Sequence, residues 1–104
     1  MNVYIKPGKY TIEEAVSESF DVSVDAIIST VRNKKREPTE ARQFAMWIRN
    51  RYTKDSLKKI GSIYYRDHAT VLHASKTVND LLETNAEFRQ KAEKALSLLD
   101  IINN

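Results

Sequence analysis

Apolar residues recur at three- and four-residue intervals along almost the whole chain, and that spacing constrains the fold more than any other feature. Ile12, Ala15, Val16 and Phe20 mark one face, and Val24, Ile27, Ile28 and Val31 a second. Ala41, Phe44, Ala45, Ile48 and Tyr52 follow, with Trp47 off their stripe and free to face a neighbouring helix. Val71, Ala74, Val78, Leu81 and Leu82 form another stripe, and Phe88, Ala92, Ala95, Leu96 and Leu99 the last. Such spacing puts apolar side chains on one side of a helix, so each segment must bury that side against another. With only two glycines and two prolines, the chain is also poorly supplied for a β-turn-rich architecture. The expected fold is all-α, with about six helices.

Capping chemistry sets the expected boundaries. Thr11 and Glu14 have capping-box spacing: the hydroxyl accepts from the amide three residues on, and the carboxylate reaches back. Ser23 opens a short second helix. Residues 32–38 are polar and basic and end in Pro38, so they read as an exposed loop before a helix over 39–52. Asp55 or Ser56 caps a short helix carrying Leu57, Ile60 and Gly61. After a tight connection over 62–66, Asp67 is placed to cap a long helix running to about residue 83. Thr84 and Glu87 have the spacing of a second capping box before the last helix. Residues 1–9 lack periodicity and read as an N-terminal arm, with one helical domain over 10–104.

The 104 residues suit one compact domain with a core of its own. Without cysteine there is no disulfide or thiolate metal site, which fits a reducing cytosol. No apolar run approaches the length of a membrane span. Charge is unevenly distributed. Residues 32–66 hold eleven Lys and Arg against three Asp and Glu, and the rest of the chain holds six against eleven. A basic middle between acidic ends suits a polyanion such as DNA, RNA or an anionic membrane.

The segment from 56 to 83 carries the functional signal: a short helix, a tight connection and a long helix that starts with polar residues. A helix that enters the major groove needs polar side chains at its start, because those touch base edges. Arg66, Asp67, His68, Ala69, Thr70 and His73 meet that demand, and Arg66, Thr70, His73 and Thr77 share a face opposite Val71, Ala74 and Val78. An Asp can accept from a cytosine amino group, and a methyl-bearing side chain can pack on a thymine methyl.

The run Arg66-Asp67-His68-Ala69-Thr70-Val71-Leu72-His73-Ala74 resembles the signature of the DNA-binding domain of the bacterial replication initiator family, DnaA. Ala41-Arg42-Gln43-Phe44-Ala45-Met46 and Ser56-Leu57-Lys58-Lys59-Ile60-Gly61 are similar to two upstream segments of that domain, in order and nearly in register over 11–96. The resemblance implies a helical bundle that reads a short duplex box, as a monomer in the bacterial cytoplasm at the nucleoid. It implies base contacts from Asp67, His68, Ala69 and His73, phosphate contacts from Arg42, Gln43, Arg66, Thr70 and Lys58, and a minor-groove loop at Lys34, Lys35 and Arg36.

The chain departs from the family pattern in three places. Tyr64-Tyr65 stand in a shortened connection where the family has Gly-Gly or similar, Ala69 replaces a Thr or Ser, and Lys34 replaces an Arg. Lys lacks the planar fork of Arg, so its groove contact is less specific. The glycine-rich phosphate loop of the initiator's ATPase module has no counterpart here, since Gly8 and Gly61 are the only glycines. The resemblance is therefore to the DNA-reading part alone, with no cofactor and no catalysis expected. His68 and His73, five apart and without cysteine, are a poor metal pair beside a groove or surface role. Tyr64 and Tyr65 either pack on the short helix or stack on bases. The leading expectation is a sequence-preferring binder of double-stranded DNA acting in replication control or transcription. The others are a protein-interaction module that keeps the fold and, more weakly, attachment to anionic lipid.

Overall fold

The computed structural model describes residues 3–6, 8–30 and 35–103. Six helices run in chain order: α1 (Ile12–Phe20), α2 (Val24–Ile27), α3 (Arg36–Tyr52), α4 (Leu57–Ile63), α5 (His68–Thr84) and α6 (Ala86–Leu98). Two short strands, β1 (Val3–Lys6) and β2 (Asp100–Asn103), pair antiparallel, with Val3 opposite Asn103 and Lys6 opposite Asp100.

The caps explain where the helices start. Thr11 and Glu14 form the full reciprocal box at α1, at 2.9 and 3.1 Å. Ser23 Oγ accepts from the Ala26 amide. At the other end of α1, Asp21 turns the chain with a left-handed φ of 55°. The loop expected over 32–38 is overtaken by helix at its C-terminal end. Arg36, Glu37 and Pro38 are already helical, with Lys35 in the N-cap position. A proline in the first turn loses no hydrogen bond, since the first amides of a helix have no intrahelical partner, and its fixed φ suits the helix. Val31 and Lys34, assigned to the second helix and to the basic loop, lie outside the described residues. The second expected capping box is also displaced. Asn85 caps α6 by accepting from the Phe88 amide at 3.0 Å, while the Thr84 hydroxyl donates to the Asp80 carbonyl within α5.

α3 is the central element. It packs on α1 and α5, α5 packs on α4 and α6, and α1 packs on α6. Phe20, Phe44 and Phe88 meet with ring centroids 5.4–5.7 Å apart, joining α1, α3 and α6. Trp47 stacks on Phe44 at 5.4 Å and donates its indole N–H to Asn79 Oδ1 of α5 at 3.0 Å. Val71, Ala74 and Val78 of α5 are buried in the same core as Ile48 and Ile60, as their stripes require. None of the described helices is long and apolar enough to cross a membrane.

Candidate nucleic-acid interface

α4 and α5 form one unit through a turn built from hydrogen bonds. Ser56 Oγ accepts from the Lys59 amide and opens α4. At its end the Tyr64 amide donates to the Ile60 carbonyl, and the Arg66 amide donates to the Gly61 carbonyl at 2.7 Å. Tyr65 between them has a φ of 57°. This is the closure that a helix makes when one residue enters the left-handed region, which glycine favours and which costs a non-glycine residue about 1–2 kcal/mol. A Cβ on Gly61 would run into the Arg66 carbonyl oxygen, so here the chain requires glycine. Asp67 then opens α5, its Oδ1 accepting from the Thr70 amide at 2.8 Å.

Tyr64 anchors this turn. Its ring is fully buried. Its hydroxyl donates to Glu13 Oε2 at 3.3 Å and accepts from Arg49 Nε at 3.1 Å. Arg49 also donates to Glu13 Oε1 at 2.7 Å and to Asp55 Oδ2 at 3.3 Å, and Lys59 pairs with Asp55 at 3.1 Å. α1, α3, the α3–α4 connection and α4 are thus tied to one phenol. Burial, followed by the Glu13 charge, pushes the Tyr64 hydroxyl above its ordinary value, so it stays protonated. Burial works against the Asp55 carboxylate, but Lys59, Arg49 and the Thr53 hydroxyl outweigh it and hold Asp55 below its ordinary value.

The two tyrosines of the shortened connection therefore differ. Tyr64 reaches through the core to α1, beyond the short helix it was expected to pack on, while Tyr65 is 59% exposed. Glu13, which is buried, and Arg49, which is half-buried, form an ion pair behind Tyr64 that the sequence alone does not announce. The available signal was Glu13 itself, an acid adjoining the apolar stripe of α1 and facing inward with it.

Of the site residues expected from sequence, Asp67, His68, Ala69, Thr70 and His73 lie together and exposed over the first two turns of α5, with Lys58 exposed on α4. Gln43 is half-buried on α3. Arg42 is buried, and donates Nε to the Ile27 carbonyl and Nη2 to the Ala26 carbonyl, both at 3.0 Å. Arg66 is half-buried, and its Nη1 lies 3.0–3.1 Å from the carbonyls of Ser29, Tyr64 and Tyr65. Lys35 and Arg36 are exposed at the start of α3, with Arg36 3.8 Å from Glu40. Among the described residues, no group of three His, Asp or Glu is placed to hold a metal ion.

A short helix, a closed turn and a longer helix with a polar, exposed start define a helix-turn-helix protein. The profile of the family described as "Bacterial dnaA protein helix-turn-helix" matches residues 10–78. The chain is 46% identical over 91 residues to the chromosomal replication initiator protein DnaA of Flavobacterium psychrophilum, covering 84% of this chain and 19% of that protein. It is 43% identical over 89 residues to the DnaA of Bacteroides thetaiotaomicron, covering 85% and 18%, and 33% identical over 94 residues to that of a Synechococcus strain, covering 89% and 20%. The chain belongs to the bacterial DnaA helix-turn-helix family. It spans about a fifth of the length of the curated relatives it matches.

Proposed function

We propose that the chain binds double-stranded DNA with a sequence preference and acts in the control of replication initiation or of transcription. The observation that carries this reading is the exposed start of α5, where Asp67, His68, Ala69, Thr70 and His73 project together beside the basic α4. The relatives' name, chromosomal replication initiator protein, supports the replication context. Asp67, His68, Ala69 and His73 read base edges. Lys58, Gln43 and Thr70 serve the phosphate backbone, with the carbonyl-bound Arg42 and Arg66 behind them, and Lys34, Lys35 and Arg36 serve the minor groove. The chain acts by binding rather than catalysis, as a monomer in the bacterial cytoplasm at the nucleoid.

Selection from a random duplex pool followed by footprinting tests this reading. An enriched motif is expected, with protection centred where α5 enters the major groove; a pool that stays random after selection rules out sequence preference. One observation favours a second reading, an interaction module for a protein partner. Tyr65 and Leu72, at the turn and on α5, are large hydrophobic residues exposed to 59% and 47%. Base contacts and a protein contact at that face exclude each other, so competition between duplex and partner distinguishes them.

A further inference from the structure

Two arginines near the candidate interface are spent on backbone. Arg42, on α3, gives Nε and Nη2 to the Ile27 and Ala26 carbonyls. Arg66, at the entry to α5, holds the Ser29 carbonyl on one side and the Tyr64 and Tyr65 carbonyls on the other. α2 is only four residues long, and the chain leaves helical geometry at Ile28 with φ −101° and ψ 56°. The last carbonyls of a helix have no intrahelical donor, and cations are favoured beside them. The forked guanidinium supplies what a single ammonium lacks, two donors in fixed planar geometry. The two side chains also lie close enough for their charges to interact. Burial, and then the Arg66 charge, lowers the affinity of Arg42 for its proton. Placing like charges together at this point is costly, and the carbonyl groups they hold offset that cost.

We propose that Arg42 and Arg66 are positioning residues that fasten the exit of α2 to the turn entering α5, so that the recognition helix meets DNA in one fixed register. This rests on the DNA-binding reading and adds to it. A phosphate contact supplies affinity to any sequence, whereas a fastening that sets register acts on discrimination. Arg66 is the central member, since a single Nη1 bridges the two segments.

The test uses Arg66→Lys and Arg42→Lys in the full chain, with melts to confirm folding. Both variants keep the charge, so the salt dependence of binding should be retained. The preferred duplex should lose about tenfold more affinity than a random duplex, the order of one lost base contact. A purely structural loss lowers both affinities alike and leaves their ratio unchanged. A second readout needs no DNA. The Ile28 amide, which donates to the Val24 carbonyl at 2.9 Å, should exchange its hydrogen faster in Arg66→Lys than in wild type. Affinities that fall in the same ratio, or Ile28 exchange that stays at the wild-type rate, overturn the fastening. A wild-type chain that binds no duplex at low salt overturns the DNA-binding reading instead, and faster Ile28 exchange in the variant then still reports the fastening. If Arg66→Lys fails to fold, Arg42→Lys decides by the same two readouts.

Discussion

At the residue scale, Asp67 has two tasks that pull on the same carboxylate. It caps α5 through the Thr70 amide, and it sits exposed where base edges are reached. Asp67→Asn keeps a capping oxygen but changes the hydrogen-bonding pattern offered to a base. It should cost about 1–3 kcal/mol on the preferred duplex and little on unrelated DNA. Lys58→Ala on the exposed side of α4 should weaken both alike and make the salt slope shallower by about one unit. Titration of both variants against both duplexes checks this; equal losses for Asp67→Asn would place Asp67 outside the reading surface. Arg42 has a different standing from Lys58, although the sequence places both among phosphate contacts. Its guanidinium is buried on carbonyls, so removing it disturbs α2 as well as any DNA contact.

At the scale of elements, the α4–α5 turn carries the tightest packing demand. Gly61→Ala brings a methyl against the Arg66 backbone, which has to move with α5 attached. The expected cost is about 1–3 kcal/mol, read as a lower melting temperature, and a melt equal to wild type would show that the turn has slack. The ion cluster behind the turn gives a pH signature. Asp55 is held below its ordinary value in the folded chain, so its stabilisation is present above the unfolded carboxylate range and is lost as pH falls through the folded value. Melts should therefore fall on acidification below about pH 4, and Asp55→Asn should remove part of that dependence. An Asp55→Asn curve parallel to wild type at every pH would remove Asp55 from the acid response.

These elements show what the sequence made legible. α1, α4 and α5 follow from their stripes and from Thr11, Ser56 and Asp67, because a cap and a helical period are local signals. Pro38 misled at the start of α3, since a proline that closes a loop and one that opens a helix look the same without the turn around them. Thr84 and Asn85 are both good caps, and only the end of α5 decides between them. The β1–β2 pair joins residues near opposite ends of the chain, so no hairpin turn announces it. On the interface, the exposed start of α5 was readable from polarity and spacing. The inward-facing Arg42, Arg49 and Glu13 were not, because charge on a helix normally signals the solvated face.

At the scale of the whole molecule, those inward charges change what the basic middle presents. Arg49 is paired with Glu13 and Asp55, and Arg42 is buried. Lys35, Arg36, Arg51, Lys54, Lys58 and Lys59 remain exposed among the described residues of that stretch. Duplex binding should then weaken with salt along a slope of about −4 to −5 in log–log form, for four to six neutralised phosphates. A flat response would rule out a phosphate-dominated interface.

The β1–β2 ribbon has a mechanical consequence. Val3 faces Asn103, so the outer ends of the two strands lie side by side at the open end of an antiparallel pair. Ladder hydrogen bonds in such a pair run across the strands. Tension applied between the ends thus loads them one at a time, as in unzipping, rather than all together in shear. With force handles at both ends, the ribbon should part in an early low-force step while the helices stay packed. A single rupture of the whole domain would show that the ribbon and the helical core share the load.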